Sequence, residues 1–388
     1  MKRLVDGLGA WIVAGGVAWV GVAWIGWSLW QSSPPKAGFD LSLLLDGARR
    51  VLAGTSPYDP ALLAGTAPDA VTLFYSYPPP VAQALTLLAW LPDGIVLVLW
   101  AIAATAGFGL VAASIARASG RTPWRTAIRA MAVVPLVLPF AIAVLFGNLD
   151  AWYPLAYGAL LLAVLPGSSN RVRTGAGIAV AVVSIAKLHP APLLLWVAAR
   201  AWRERGGPNA RVLAAAVLTG LVILAGSLVV GGVRPWLDYA TVLRVAAGSE
   251  LVDPRNVGPV SLIGQAAGVD GAVLRAIQAV IVTGVAVVTL GAALRVRDPL
   301  LSVGLASAVT LVTLPVTWYH YPVALLPLAV ALAIRHPATR PRLVLAVVVA
   351  DVAIVWPPWL WLAVAVLLVA CVESTVRTQA QGEPAIAR

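Results

Sequence analysis

The sequence predicts an all-α polytopic integral membrane protein, and two observations lead to that fold class. The chain of 388 residues is 60% hydrophobic, has a mean hydropathy of +0.90 and carries only 11% charged residues, where soluble proteins have about 25%. Its apolar residues form long runs that are divided by short basic segments. The one cysteine, Cys371, lies in the last apolar run, which excludes a disulfide framework.

The apolar runs predict the helices in chain order. The first, Leu8 to Trp30, follows Lys2 and Arg3, is long enough for a hydrocarbon core of ~30 Å, and has no cleavage site after it. It is therefore predicted to be a transmembrane helix with a cytoplasmic N-terminus. Pro78–Leu91 is too short for a secure span and is assigned as an interfacial helix on the outer face. The runs that follow, up to residue 373, bring the prediction to about 10–13 transmembrane helices.

The basic residues predict the orientation of this bundle. Most of the 27 Lys and Arg residues fall in short segments that this topology places in the cytoplasm, together with both termini. The net charge of +11 is thereby explained without nucleic-acid binding. Two long loops, 31–93 and 232–271, then lie outside the cell, and long ordered loops are usually functional. We expect one transmembrane domain over residues 1–376 and a disordered cytoplasmic tail over 377–388.

Asp40, early in the first long loop, is the leading candidate for chemistry. A carboxylate at the membrane surface can take a proton from an attacking hydroxyl group, and polar groups at membrane depth are functional by default. The same residue also suits a solvated loop or the N-cap of a helix over Leu41–Leu52. Asp46 is a weaker candidate because it lies on a different face of that helix.

Two aromatic and proline-containing segments, together called the aromatic–proline step, follow in the same loop. The step comprises Gly54 to Tyr58 and then Phe74 to Pro80, which includes Tyr75 and Tyr77. Proline fixes φ and restricts the residue before it, so the second part enters the next helix in an extended form. The step is typical of an interfacial anchor, and it also suits a groove where a lipid-linked donor meets its acceptor.

Two further motifs lie between apolar runs. Gly147-Asn148-Leu149-Asp150 suits either a tight turn or the binding of sugar hydroxyls by Asn148 and Asp150. Lys187-Leu188-His189-Pro190 holds the only Lys beyond residue 36. This Lys can either bind a phosphate group or extend its side chain to the membrane interface without a role in binding.

The second long loop and a late helix end complete the candidates. Arg255 and its neighbour Asn256 lie in that loop, and Arg255 can grip a phosphate. In Trp318-Tyr319-His320, the His can share a proton with Asp40, bind phosphate when charged, or be a polar member of an aromatic belt. The spacing of His and Asp predicts no metal site, and the absence of a Walker pattern argues against an ATP-driven pump.

In their order, these motifs resemble those of the GT-C glycosyltransferases. They most resemble family 87, the actinobacterial polyprenyl-phosphate-mannose-dependent α-mannosyltransferases, over about residues 35–335. The matching segments are Asp40, Gly54 to Tyr58, Tyr75 to Pro79, Gly147 to Asp150, Lys187 to Pro190, Asn256 to Leu262, and Trp318 to His320. Two departures are that Asp150 stands where Asn is usual and that the segment at Asn256 is a loose match.

The resemblance implies a GT-C fold in the plasma membrane, with an extracytoplasmic site and juxtamembrane helices. Asp40, with His320, would be catalytic in an inverting transfer of mannose from polyprenyl-phosphate-mannose to a glycolipid or lipoglycan, with no cofactor or metal. The donor phosphate would meet Lys187, Arg255 and His189. Sugar and acceptor would meet seven residues: Tyr58, Tyr75, Tyr77, Asn148, Asp150, Asn256 and Trp318.

The sequence is also compatible with other functions. The same family includes an arabinofuranosyltransferase that uses decaprenyl-phosphate-arabinose, so the donor sugar is not fixed. A lipid transporter or flippase needs a polar path through the bilayer, and ionisable residues inside the predicted spans are nearly absent, with Asp351 the main exception. A non-catalytic assembly subunit would tolerate the loss of Asp40 and His320.

Overall fold

A computed structural model describes residues 2–33, 35–66, 69, 72–205, 207–269 and 271–380. Regular structure in these residues is entirely helical, which confirms the predicted fold class. The α-helices are α1 Lys2–Trp30, α2 Phe39–Leu52, α3 Pro60–Leu63, α4 Pro79–Leu85, α5 Asp93–Ala118, α6 Pro123–Val133, α7 Leu138–Phe146, α8 Tyr153–Val164, α9 Asn170–Ala186, α10 Pro192–Arg203, α11 Pro208–Gly231, α12 Arg234–Leu251, α13 Pro259–Ala267, α14 Gly271–Arg295, α15 Pro299–Thr310, α16 Leu326–Arg335, α17 Arg340–Val352 and α18 Trp359–Ala380.

Within this described part, five helices are long and apolar enough to cross a membrane: α1, α5, α11, α14 and α18. Two bent pairs raise the number to seven if each pair forms one span. The sequence-based count of about 10–13 is larger because it treated each short apolar run as a separate span. Prolines and bends divide several of those runs into helices of 10–17 residues, such as Pro299–Thr310.

Asp351 stabilises the first of these bends. The helices Pro123–Leu136 and Leu138–Phe146 meet at 82°, where Pro135 and Pro139 interrupt the backbone hydrogen bonds of a helix. The freed N–H of Leu138 donates to Asp351 Oδ1 at 2.7 Å. The Asp351 carboxylate, which the sequence places inside an apolar run, therefore provides the hydrogen-bond acceptor that the first N–H group of α7 needs.

Close helix packing forms the core of the bundle. The helices α9 and α11 approach so closely at Gly177 that a Cβ there would overlap the Val212 carbonyl oxygen, as is usual for small residues between membrane helices. Between α8 and α15, the hydroxyl groups of Tyr157 and Thr310 are 2.7 Å apart. By contrast, the apolar face of α1 is exposed, including Val13 at 67% and Val17 at 69%, which suits contact with lipid.

The two long loops are largely helical and cover one end of the bundle. The first contains α2, α3 and α4, and the second contains α12 and α13. The segment Pro78–Leu91 forms α4 and a turn after it, which agrees with its assignment as a segment that does not cross the membrane. The predicted tail differs from the structure over 377–380, because α18 continues to Ala380. Residues 381–388 lie outside the described residues.

Candidate active site

The main cavity, of about 570 Å³, lies where the first turn of α2, the segment before α4 and the end of α7 meet the segments after α9 and α15. These parts of the chain are far apart in sequence. Seven of the predicted site residues line this cavity: Asp40, Tyr77, Asn148, Lys187, Arg255, Trp318 and His320. The fold therefore gathers into one place side chains that the sequence presented as separate motifs.

Asp40 lies in the first turn of α2, and two contacts fix its position. The N–H of Gly38, just before α2, donates to the Leu145 carbonyl at 2.8 Å, which ties the start of α2 to the end of α7. The side-chain amide of Asn148 donates to Asp40 Oδ2 at 2.8 Å. The Asp40 carboxylate is therefore held in one orientation in the wall of the cavity.

Asn148 is itself held firmly by its surroundings. Its backbone N–H donates to the Ala143 carbonyl at 2.8 Å, and its carbonyl accepts from the Trp100 indole at 3.2 Å. Its side-chain oxygen accepts from the N–H of Asp150 at 2.9 Å, as an N-cap does. The Gly-Asn-Leu-Asp motif thus forms a turn, and that turn also presents an amide to Asp40.

Gly147 allows this turn to approach α2. Its φ is 67°, and a Cβ would lie 2.5 Å from the Cβ of Leu41. We expect Gly147→Ala to lower the free energy of unfolding by about 1–3 kcal/mol through backbone strain, and further through the clash. Thermal unfolding in detergent measures this loss. Gly120→Ala is the matched control, because Gly120 has a φ of 66° but open space around it, and equal losses in the two variants would contradict the role of the contact with Leu41.

Asp150, two residues after Asn148, is completely buried and lies close to the side chains of Lys187 and His320. Lys187 Nζ lies 3.1 Å from Asp150 Oδ2 and 3.3 Å from Oδ1. His320 Nε2 lies 2.9 Å from the same Oδ2. The carboxylate close to His320 is therefore Asp150, whereas the sequence had suggested Asp40.

The charge of Asp150 is set by these neighbours. Burial on its own would raise the pKa of this carboxyl group, because the charged form loses its hydration. The charge of Lys187 and the contact with His320 outweigh that effect and hold the pKa well below its usual range. Asp150 is thus ionised, and it anchors Lys187 and His320 in the wall of the cavity.

Lys187 emerges from the end of α9 with an extended backbone. Its ammonium group lies 4.4 Å from the ring centroid of Tyr321 and 5.9 Å from that of Tyr77, within the range of cation–π attraction. The side chain is 10% exposed. Its position, between two rings and above a buried carboxylate, is that of a fixed cation, which differs from a lysine that reaches out to the interface.

Arg255 reaches the cavity from the second long loop. Its side chain is 43% exposed and binds the buried Asp253 through two hydrogen bonds, at 3.0 Å from Nε and 2.7 Å from Nη2. The guanidinium group also lies 5.7 Å from the Trp318 ring. Asp253 thus orients Arg255 toward the side of the cavity that Trp318 forms.

Asn256 lies behind this wall and is 1% exposed. Its side-chain oxygen accepts from the N–H groups of Gly258 and Thr317, at 2.8 and 2.9 Å, and its Nδ2 donates to the Pro315 carbonyl at 2.8 Å. It joins the second long loop to the segment that carries Trp318 and His320. The structure therefore places Asn256 as a support for the cavity wall and not in its lining.

Two of the three tyrosines of the first loop also lie behind the wall. Tyr58 is 1% exposed and donates its hydroxyl to the Tyr77 carbonyl at 2.9 Å. The Tyr75 hydroxyl donates to the Pro78 carbonyl at 3.2 Å and accepts from the N–H of Ala82 at 2.9 Å. Both therefore hold the backbone around Tyr77, whose side chain lines the cavity.

His189 lies deeper still and is completely buried. Its ring stacks on Tyr321 with centroids 4.5 Å apart and lies 5.0 Å from Tyr153. Burial lowers the pKa of this imidazole to about 3, so it is neutral at physiological pH. Neither ring nitrogen has a hydrogen-bond partner among the described residues.

The sequence reasoning missed two residues of this site. Asp253 lines the cavity and orients Arg255, and Tyr321 lies between Lys187 and His189. The sequence offered only a weak signal for each. Asp253 stands two residues before a candidate arginine, and Tyr321 directly follows a candidate histidine in an aromatic run.

The arrangement suits proton abstraction beside a developing anion. A carboxylate, Asp40, is connected through the turn 147–150 to a fixed ammonium group and an imidazole on the same cavity. Such a site can take a proton from a hydroxyl group and stabilise negative charge on a leaving group. Over the described ranges, no cluster of three or more His, Cys, Asp or Glu side chains is placed to hold a metal ion.

The comparison with protein families agrees with this chemistry. A model described as glycosyltransferase family 87 matches residues 75–317, which is more than half of the chain and includes eight of the twelve predicted site residues. No curated protein matches the chain.

Proposed function

Because the chain belongs to glycosyltransferase family 87, we propose that this membrane glycosyltransferase moves a mannosyl residue from polyprenyl-phosphate-mannose to a hydroxyl group of a glycolipid or lipoglycan, in an α-1,2 linkage. One observation carries the proposal. The turn 147–150 binds Asp40 through Asn148 at one side and Lys187 through Asp150 at the other. A base for the acceptor and a cation for the donor phosphate therefore share one cavity.

In this proposal, Asp40 is the general base. It takes the proton of the acceptor hydroxyl as that oxygen attacks the anomeric carbon of the β-linked mannosyl phosphate. The new bond joins the acceptor oxygen to the anomeric carbon, and the bond from that carbon to the phosphate oxygen breaks with its electron pair. Polyprenyl phosphate leaves, and the single displacement inverts the anomeric configuration. Asn148 holds the carboxylate in line for this transfer.

The negative charge that develops on the phosphate would be met by Lys187, with His320 beside it. An ammonium group has three N–H donors, so the contact with Asp150 leaves it able to bind a phosphate oxygen as well. Arg255 approaches from the other side of the cavity, oriented by Asp253. Fixed donors of this kind stabilise a leaving group without reorganisation during the reaction.

The same cavity offers an apolar wall for the lipid part of the donor. Leu43, Phe74, Ile142, Phe146 and Leu188 all line it. A polyprenyl chain is entirely apolar, and its burial against such side chains is favourable. This wall supports a lipid-linked donor in preference to a nucleotide sugar, whose diphosphate and base are polar.

Sugar contacts are assigned to the candidates that reach the cavity, namely Tyr77, Asn148 and Trp318. Aromatic rings and a few placed polar groups are what small-molecule sites typically present. Tyr58, Tyr75 and Asn256 support the backbone around these residues, and Asp150 supports the cations. We propose that these four act through their neighbours.

The distribution of charge supports an extracytoplasmic site. Helix α5 runs from Asp93, which pairs with Arg49 of α2, to Arg117, and α9 runs from Arg171 and Arg173 to Lys187 at the site. The end of the bundle away from the cavity is thus rich in arginine, which is typical of the cytoplasmic side. We propose that the cavity opens on the outer face of the cell membrane, that both termini are cytoplasmic, and that residues 1–376 act as one domain.

His189 provides a test of which residues meet the phosphate. We expect His189→Phe to retain transfer and thermal stability, because the replaced ring is neutral, unpartnered and stacked on Tyr321. An apolar ring of similar shape can replace a buried polar group at little cost. The measurements are the initial rate of transfer and the unfolding temperature in detergent. A large fall in rate with unchanged stability would instead assign His189 to donor binding, as the motif Lys187 to Pro190 had suggested.

The proposed reaction is tested by donor choice. The protein is purified and incubated with a mannosylated glycolipid and with one of three labelled donors, namely polyprenyl-phosphate-mannose, decaprenyl-phosphate-arabinose or a nucleotide-linked mannose. We expect label to reach the glycolipid only from polyprenyl-phosphate-mannose. Transfer from the arabinose donor alone would make the protein an arabinofuranosyltransferase, and transfer from the nucleotide sugar would overturn the proposal of a lipid-linked donor.

A further inference from the structure

A second cavity, of about 220 Å³, adjoins the main cavity. Leu43, Thr72, Leu73 and Phe74 line both of them. The proposed reaction uses the main cavity alone and gives the adjoining space no role.

Helix α2 connects the two cavities along one face. Asp40, Leu43, Gly47 and Arg50 follow one another at spacings of three or four residues, which puts them on one side of a helix. Asp40 lines the main cavity, Leu43 lines both, and Gly47 and Arg50 line the second cavity. At a rise of ~1.5 Å per residue, Gly47 lies ~10 Å along the axis from Asp40, a separation similar to the length of a disaccharide.

The second cavity has the polar groups that a sugar ring needs. Asp46, Arg50 and Asp59 line it, and their side chains are 59%, 38% and 48% exposed. Carboxylates accept hydrogen bonds from hydroxyl groups, and a guanidinium group donates them. The Arg50 and Asp59 side chains are 3.8 Å apart, too far for a strong mutual hydrogen bond, so a ligand hydroxyl can bind between them.

An aromatic surface forms the opposite wall. Phe74 and Tyr75 line the second cavity, and the Tyr75 ring packs against Gly47 so closely that a Cβ there would lie 2.9 Å from it. Because Gly47 carries no side chain, the Tyr75 ring can lie directly against α2 at the edge of the second cavity. Rings opposite a few charged groups are the usual composition of a small-molecule site, and about 220 Å³ is smaller than the ~300–1,000 Å³ of drug-sized sites. It therefore suits a single ring.

We propose that the second cavity binds the sugar residue that precedes the reacting residue of the acceptor. This inference rests on the proposed function, because it takes the hydroxyl at Asp40 to be that of a terminal sugar. The acceptor is then a glycan of at least two residues, whose terminal residue lies at Asp40 and whose second residue lies between Arg50 and Tyr75. Selection of the acceptor depends on both residues.

The test is a binding measurement, so that it does not require transfer. Methyl α-mannoside and a methyl α-dimannoside are titrated into the purified full-length protein and followed by ligand-observed NMR. We expect the disaccharide to bind about tenfold more tightly, the factor expected from one hydrogen bond to a charged group. In Ala61→Trp, which fills the second cavity from its wall, the disaccharide should bind no better than the monosaccharide.

A matched variant distinguishes blockage of the second cavity from general damage to the fold. Ala64→Trp adds the same side chain one turn away, at a position that is exposed and does not line the second cavity, and it should keep the tenfold preference. Equal binding of both sugars to the wild type, or an unchanged preference in Ala61→Trp, would overturn the inference. If the preference is present but no donor supports transfer, the second cavity is still a sugar-binding site, and only the proposed transfer reaction is contradicted.

Discussion

Asp40→Asn is expected to lower the rate of sugar transfer by a factor of about 10²–10⁴, the usual contribution of a general base. Asparagine has the shape of aspartate, and its side-chain oxygen can still accept the hydrogen bond from Asn148 that holds Asp40 at 2.8 Å. It cannot take the proton of the acceptor hydroxyl. The rate should therefore fall while the unfolding temperature and the binding of donor stay close to those of the wild type.

Asp46→Asn is the control for this variant. Asp46 lies on the same helix and is 59% exposed, where it pairs with Arg49 at 2.9 Å, and surface ion pairs contribute little to stability. With methyl α-mannoside as the acceptor, a single sugar that does not reach the second cavity lined by Asp46, this variant should keep nearly all of the transfer activity. If Asp40→Asn retains the wild-type rate and Asp46→Asn loses it, the base has been assigned to the wrong carboxylate.

The second large effect is expected at the buried pair of Asp150 and Lys187. Asp150→Asn leaves the Lys187 ammonium group, 10% exposed, without its carboxylate. Removal of one member of a buried ion pair costs about 3–5 kcal/mol of stability. Transfer should fall as well, because Asp150 also holds His320, at 2.9 Å. Thermal unfolding in detergent and initial rates measure the two losses separately.

The double variant Asp150→Leu with Lys187→Met separates stability from function. Apolar residues of similar volume often replace a buried ion pair without loss of stability, so the double variant should unfold at a higher temperature than Asp150→Asn. It should still be inactive, because no ammonium group remains for the leaving phosphate. Recovery of both stability and transfer in the double variant would show that the pair is only structural.

The sequence was a good guide to the fold class, which the helical structure confirms. Hydropathy decides whether helices are buried in lipid, and a carboxylate beside the first span with a Gly-Asn turn farther along indicated a polar site. The bend between Leu136 and Leu138 was not foreseen, because a hydropathy run does not show where proline divides it. Fewer of the described helices are long enough to cross a membrane than the apolar runs that were counted, because several of those runs form shorter helices.

Contacts between distant parts of the chain could not be predicted from the sequence. Asp150 had been read as a sugar ligand, but its burial against Lys187, 37 residues away, and His320 depends on how α8, α9 and the segment after α15 pack together. Tyr58 and Tyr75 had been predicted to contact the sugar. An aromatic side chain near the membrane interface suits a buried core as well as a binding groove, so the sequence alone does not decide between the two. Such choices depend on tertiary packing, which no local pattern contains.

The anomeric configuration of the product tests the account most directly. Purified protein is given polyprenyl-phosphate-mannose that carries ¹³C at the anomeric carbon, together with a methyl α-dimannoside, and the product is examined by NMR. A single displacement with Asp40 as base predicts that the label enters the glycan and that the β-linked donor gives an α-linked product. A β-linked product, or label that never reaches the glycan, would contradict the account.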